Sequence, residues 1–163
     1  MSHLTKHADF HRAFGQPVIE TPGLPEPAIT GIEARAALMW VEVAIRRAIR
    51  SLGEEPGRRP LRLSLLLEEI GELLSAERSD NLIGIADALA DIEVIADGTA
   101  LEYGIPLDKV RDEVHRANMS KLGLDGKPIY REDGKVMKGP RYEPPDVESV
   151  LRAHGYVSKG HAA

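Results

Sequence analysis

The chain has 163 residues, a length suited to one domain that buries roughly 70% of its unfolded surface. Its 26 acidic residues outnumber the 21 basic ones, so the net charge of −5 argues against a polyanion-binding surface and against nucleic acid as a partner. Cysteine is absent, which excludes disulfides, thiol catalysis and thiolate metal sites.

The opening MSHLTKHADFHRAFGQP lacks the apolar centre of a signal peptide. Residues 1–30 read as an extended N-terminal arm with a short helix at 9–14, because four prolines between Pro17 and Pro27 bar regular helix. A helix follows at 32–52, with Leu38, Val41, Ile45, Ala48, Ile49 and Leu52 at helical spacing and Gly53 at its end. Trp40 in this segment is expected in the core. Pro60 opens the next helix, 61–78, whose apolar face is Leu63, Leu66, Leu67, Ile70, Leu73 and Leu74. Asp80 is placed to cap a helix running to about residue 103, where Gly104 and Pro106 stop it. That region is the longest apolar one, but Asp87, Asp91, Glu93 and Asp97 interrupt it, so no membrane span is expected. A further helix, 107–121, shows Leu107, Val110, Val114 and Ala117 on one side. In DGKPIYREDGKVMKGP, Asp133-Gly134 between β-prone runs predicts a hairpin turn, so residues 125–163 read as a hairpin and a C-terminal tail, with a short helix at 147–154. The expectation is one all-α domain over 1–163, a four-helix-bundle-like fold with a small C-terminal β-hairpin, in a soluble cytoplasmic protein.

Three constellations carry chemistry. Glu68, Glu69 and Glu72 form an EExxE whose carboxylates share an arc of about 100° on their helix. Leu61 and Leu65 project into the same arc, so it packs against something, unless it is simply a solvated acidic face. Asp87 and Asp91 stand at i, i+4 on a helix apolar nearly all round, which predicts burial. Buried carboxylates need counter-charge, and few cations are near in sequence. Five acids on two consecutive helices therefore point to a divalent cation, and all-oxygen donors suit Mg²⁺ or Mn²⁺. Asn118 and Lys121 lie within about 40° of Val114, on the apolar stripe. Either Lys121 snorkels out while Asn118 satisfies backbone, or both project into a polar site that receives a phosphate or a base. No Walker loop, nucleophile elbow or dinucleotide fingerprint is present.

LLLEEIGELL, then IADALADIEVIADGTALEYGIP, then EVHRANMSKLGLDGKPIYREDGKVMKGPRYEPPD resembles the all-α nucleoside triphosphate pyrophosphatases. Within these it looks closest to MazG-like and phosphoribosyl-ATP pyrophosphohydrolase-like proteins, some of which act as dUTPases. The resemblance covers roughly residues 65–146, and FHRAFGQP also looks like these proteins. It implies a helical homodimer, or a higher homo-oligomer, whose carboxylates bind Mg²⁺ or Mn²⁺. It also implies cleavage of a nucleoside triphosphate to monophosphate and pyrophosphate. Glu68, Glu69 and Glu72 match the EExxE and Asp91 the aspartate of the usual ExxD, whose glutamate position here holds Ala88, with Asp87 one residue earlier. Glu69, Glu72 and Asp91 are thus expected as ligands with Asp87 in support. Glu68 serves a second ion or acts as general base, and Asn118, Lys121 and Lys138 hold phosphates. The resemblance also implies a shorter lead to the EExxE than the helix at 32–52 gives. The substrate expected is dUTP or a related pyrimidine deoxynucleotide. The alternatives are phosphoribosyl-ATP, a noncanonical nucleotide, or a non-catalytic dimer that binds metal or nucleotide.

Overall fold

A computed structural model of the chain describes residues 2–132 and 135–157. Its helices are α1 (His3–Ala13), α2 (Ile32–Gly53), α3 (Arg58–Arg78), α4 (Leu82–Tyr103), α5 (Leu107–Met119) and α6 (Val147–Ala153). Among the described residues, no helix is long and apolar enough to cross a membrane. The chain divides into a central unit, Thr21–Tyr103, and a terminal unit built from the stretches on either side of it.

In the central unit α3 packs against both α2 and α4. The seam with α2 is formed by Ile45, whose Cγ2 would stand 3.5 Å from a Cβ added at Gly71. Beside it Glu42, only 6% exposed, is neutralised by Arg78, whose Nε donates to Glu42 Oε1 at 3.0 Å. On the other side α4 turns Ile85, Ala88 and Ala100 inward. Arg62 reaches across that seam and donates to Thr99 Oγ1 at 3.0 Å and to the Ile95 carbonyl. Asn81, not the expected Asp80, caps α4: its Oδ1 accepts the Gly84 N–H at 3.1 Å. Asp80 instead occupies the left-handed turn, with φ 53°.

Two expectations fail here for one reason. Asp87 and Asp91 are exposed, not buried, and Trp40 is 73% exposed, not in the core. Packed on α3 within its unit, α4 leaves its far side open, where Ile83, Val94 and Leu101 are 83%, 65% and 81% exposed. Trp40 likewise faces away from α3, roughly half a turn from Glu42 on α2. Apolar content predicts that a face is covered, but not that the same chain covers it.

In the terminal unit α5 packs against α1 and α6. Ser2 caps α1 and Phe14 at its end is 1% exposed. Lys6 pairs with Asp112, and His3 Nε2 lies 2.9 Å from Asp108. The helix predicted at 9–14 thus begins at His3, and α5 stops at Met119, which puts Lys121 beyond it. The predicted β-hairpin is not found as strands. An isolated bridge joins Tyr130 and Val136, with Arg131 N–H donating to the Lys135 carbonyl and Met137 N–H to that of Ile129. Pro128 on one side and Gly139-Pro140 on the other leave runs too short for a ladder. The turn at 133–134 lies outside the described residues.

Candidate functional site

The acid cluster is carried by the facing helices α3 and α4 of the central unit. Glu69 is half-buried, and its carboxyl is held above the usual carboxylate range. Burial is the largest cause, followed by the negative charges of Glu72, Asp91, Glu68 and Asp87. The five sequence-predicted acids therefore do lie near one another, and no cation contributes to the shift at Glu69. Glu68, Glu72, Asp87 and Asp91 are exposed. Hence they keep their water while repelling one another, a milder arrangement than the buried cluster expected from the sequence.

In donor type the cluster fits a hard divalent cation, because it offers carboxylate oxygens and an excess of negative charge. As the side chains stand, no group of three His, Asp or Glu among the described residues closes around a common point. Ala88, at the position where a glutamate is usual, is 1% exposed in the α3–α4 seam, whereas Asp87 stands on the open side. A glutamate at residue 88 would have to displace that packing.

Glu68 and Glu72 also line a groove of about 310 Å³ along the α2–α3 seam. Its floor is Ile45, Ile49 and Gly71, and its polar lining is Glu42, Arg46 and Ser75. Arg46 is mostly exposed and lies 3.7 Å from Glu42 Oε2, whose main partner is Arg78. Sequence reasoning passed over Glu42 and Arg46; the one available signal was a charge pair at i, i+4 inside an otherwise apolar stripe.

In the terminal unit the structure joins two of the three predicted phosphate-binding residues by a side-chain bond. Lys121 Nζ donates to Asn118 Oδ1 at 2.7 Å. Lys138 is linked to Lys121 only through its neighbour, since Gly139 N–H donates to the Lys121 carbonyl at 3.0 Å. Gly139 is buried, and a Cβ there would collide with the Leu122 carbonyl and lie 2.8 Å from that of Lys121. Only glycine allows so close an approach. Lys138 Nζ stands 4.4 Å from the centre of the Tyr142 ring.

Residues 48–118 match the family described as phosphoribosyl-ATP pyrophosphohydrolase, a stretch that includes all five acids and Asn118 and ends before Lys121. An uncharacterised protein of Acanthamoeba polyphaga mimivirus is 34% identical over 85 residues, covering 52% of this chain. The chain spans only 32% of that protein's length. A solved structure of a candidate NTP pyrophosphohydrolase from Exiguobacterium sp. 255-15 superposes with a TM-score of 0.59 at 25% identity, covering 94% of this chain and 95% of that one. That coverage leaves about 10 residues of this chain unmatched, fewer than the 22 of α2, so α2 is not an addition relative to that structure. The resemblance read from the sequence to the all-α nucleoside triphosphate pyrophosphatases holds, and with it the all-helical fold.

Proposed function

We propose that this chain is a nucleoside triphosphate pyrophosphohydrolase that depends on Mg²⁺ or Mn²⁺ and releases a nucleoside monophosphate and pyrophosphate. The observation that supports it most is Glu69, raised first by burial and then by four neighbouring carboxylates, on two helices within the stretch matched by the pyrophosphohydrolase family. Such repulsion costs stability in the free protein and is relieved by a divalent cation, whose Lewis acidity also neutralises phosphate charge.

In this reading Glu69, Glu72 and Asp91 hold the cation, with Asp87 in support. Glu68 takes the proton of the attacking water, whose oxygen bonds to phosphorus as the phosphoanhydride bond breaks and pyrophosphate leaves. Asn118, Lys121 and Lys138 hold phosphate oxygens through charge-assisted hydrogen bonds. The groove beside Glu68 and Glu72 receives the nucleoside, and its volume is at the small end of the roughly 300–1,000 Å³ usual for ligand sites. The substrate proposed first is dUTP or a related pyrimidine deoxynucleotide. A second substrate, phosphoribosyl-ATP, is favoured by the description of the matched family.

We further propose a homodimer or higher homo-oligomer, because Ile83, Val94 and Leu101 form an open apolar stripe on α4. Light scattering at micromolar concentration tests it, and a fully active monomer refutes it. The activity itself is tested by screening deoxynucleoside triphosphates, ribonucleoside triphosphates and phosphoribosyl-ATP with Mg²⁺ or Mn²⁺ for pyrophosphate release. Release that survives chelation overturns the metal dependence, whereas none from any substrate overturns the activity and leaves a non-catalytic binding protein.

A further inference from the structure

We infer that Tyr142 is a positioning residue that holds the Lys138 ammonium ready for the phosphate chain of a nucleoside triphosphate. This inference rests on the role proposed above for Lys138.

Lys138 is exposed, and no carboxylate among the described residues pairs with it. A free lysine at such a site samples many rotamers and loses them on binding an anion. Here the ammonium is 4.4 Å from the Tyr142 ring centre, within the range where the negative face of the ring attracts a cation. That contact limits the side chain without neutralising its charge.

The ring can do this because its backbone is fixed at both ends. Tyr142 N–H donates to the Gly139 carbonyl at 3.0 Å, and Gly139 is seated against Lys121. On the other side Glu143 N–H donates to Ser120 Oγ at 3.0 Å, and Glu143 Oε2 accepts from Arg116 at 3.0 Å. Arg141 adds a bond to the Leu124 carbonyl at 3.3 Å. Residues 139–143 are thus fastened along the end of α5, and the ring that faces Lys138 is tied to the same turns that present Asn118 and Lys121.

The test uses the full chain and its Lys138→Met, Tyr142→Leu and Tyr142→Phe variants. Pyrophosphate release gives kcat and KM, and calorimetry with Mg²⁺ and inorganic tripolyphosphate gives phosphate affinity without a base or turnover. Lys138→Met is expected to weaken tripolyphosphate binding roughly 10-fold and Tyr142→Leu roughly 2- to 5-fold, both raising KM more than they lower kcat. Tyr142→Phe, which keeps the ring, restores wild-type values within about twofold. The double variant is no weaker than Lys138→Met alone. In wild type the Lys138 ε-methylene protons carry an upfield ring-current shift, a reading that does not depend on Tyr142→Leu folding. An unshifted resonance overturns the inference, as does a folded Tyr142→Leu with wild-type affinity or one whose loss adds to that of Lys138→Met. If Lys138→Met itself binds tripolyphosphate normally, the proposed role of Lys138 falls too. Tyr142-dependent binding without pyrophosphate release from any nucleotide overturns the proposed activity and leaves this inference standing.

Discussion

Glu69 on α3 and Glu113 on α5 are both half-buried or nearly buried glutamates on amphipathic helices, yet their surroundings push them in opposite directions. Glu113 accepts from Arg116 at 2.8 and 2.9 Å and from the Asp146 N–H at 2.8 Å. These bonds, with the arginine first, hold its carboxyl at about 2. Glu69 instead meets burial and four like charges, and its carboxyl is raised. A paired carboxylate fastens structure, whereas one surrounded by its own kind weakens the free protein and is relieved when a cation binds or the carboxyl takes up a proton. The difference separates an acid that serves the fold from one proposed above to serve a ligand.

The largest effect expected from that contrast is on turnover. Glu69→Gln removes one charge at nearly constant shape. It should lower pyrophosphate release by at least roughly 100-fold, since even the outer partners of metal ligands are worth about 10- to 100-fold. The same variant without metal should melt higher than wild type, because the repulsion is gone. A folded Glu69→Gln protein with near-normal kcat removes Glu69 from the site.

Next in size is metal itself. Saturating Mn²⁺ at about 100 times its dissociation constant should stabilise the wild type by about 2.7 kcal/mol in chemical unfolding. Glu113→Gln should respond to Mn²⁺ as wild type does, and Glu69→Gln much less. An equal response in both variants would place the metal elsewhere.

A smaller effect is expected from Glu113→Gln alone. It removes the negative charge and one of the two acceptor oxygens, so the bonds from Arg116 and the Asp146 N–H weaken and hydrogen exchange at Asp146 should quicken while turnover holds. Unchanged exchange would show that the bond is idle.

The smallest effect is on pH dependence, and its sign differs between the two residues. Glu113 titrates near 4.5 when unfolded and about 2 when folded, so the unfolded chain binds more protons in that window. Its contribution is complete above about 4.5 and fades as pH falls toward 2. Glu69 has a raised folded value, so the folded chain binds more protons between 4.5 and that value. Its destabilisation is complete above the raised value and is relieved as pH falls through it. Acid titrations of metal-free Glu113→Gln and Glu69→Gln, each compared with wild type, should deviate in opposite directions.

The helices were legible because their evidence is local. Apolar spacing and the stops at Gly53 and Gly104-Pro106 sufficed for α2 to α4. The acids on α3 and α4 were legible as a group for the same reason, since i, i+1, i+4 and i, i+4 spacings put them on shared faces. Their burial was not legible. The apolar residues around Asp87 say that α4 has faces to cover, and a sequence does not state which helix covers each. The hairpin was misread because Asp133-Gly134 is a turn signal that says nothing about whether the flanking runs are long enough to pair.

The sequence by itself determined that the chain is helical, that five carboxylates stand on two successive helices, and that it resembles the pyrophosphohydrolases, because periodicity and motif order survive without a fold. Only tertiary structure decided that α3 takes both neighbours and leaves Trp40, Ile83 and Leu101 open, that Glu42 and Arg46 line a groove with two of the acids, and that Gly139 seats against Lys121. Those facts depend on contacts between residues far apart in the chain, such as Glu42 and Arg78, which are 36 positions apart. Nothing in local propensity fixes such a distance, because it is set by how close two backbones can come once their side chains have been packed.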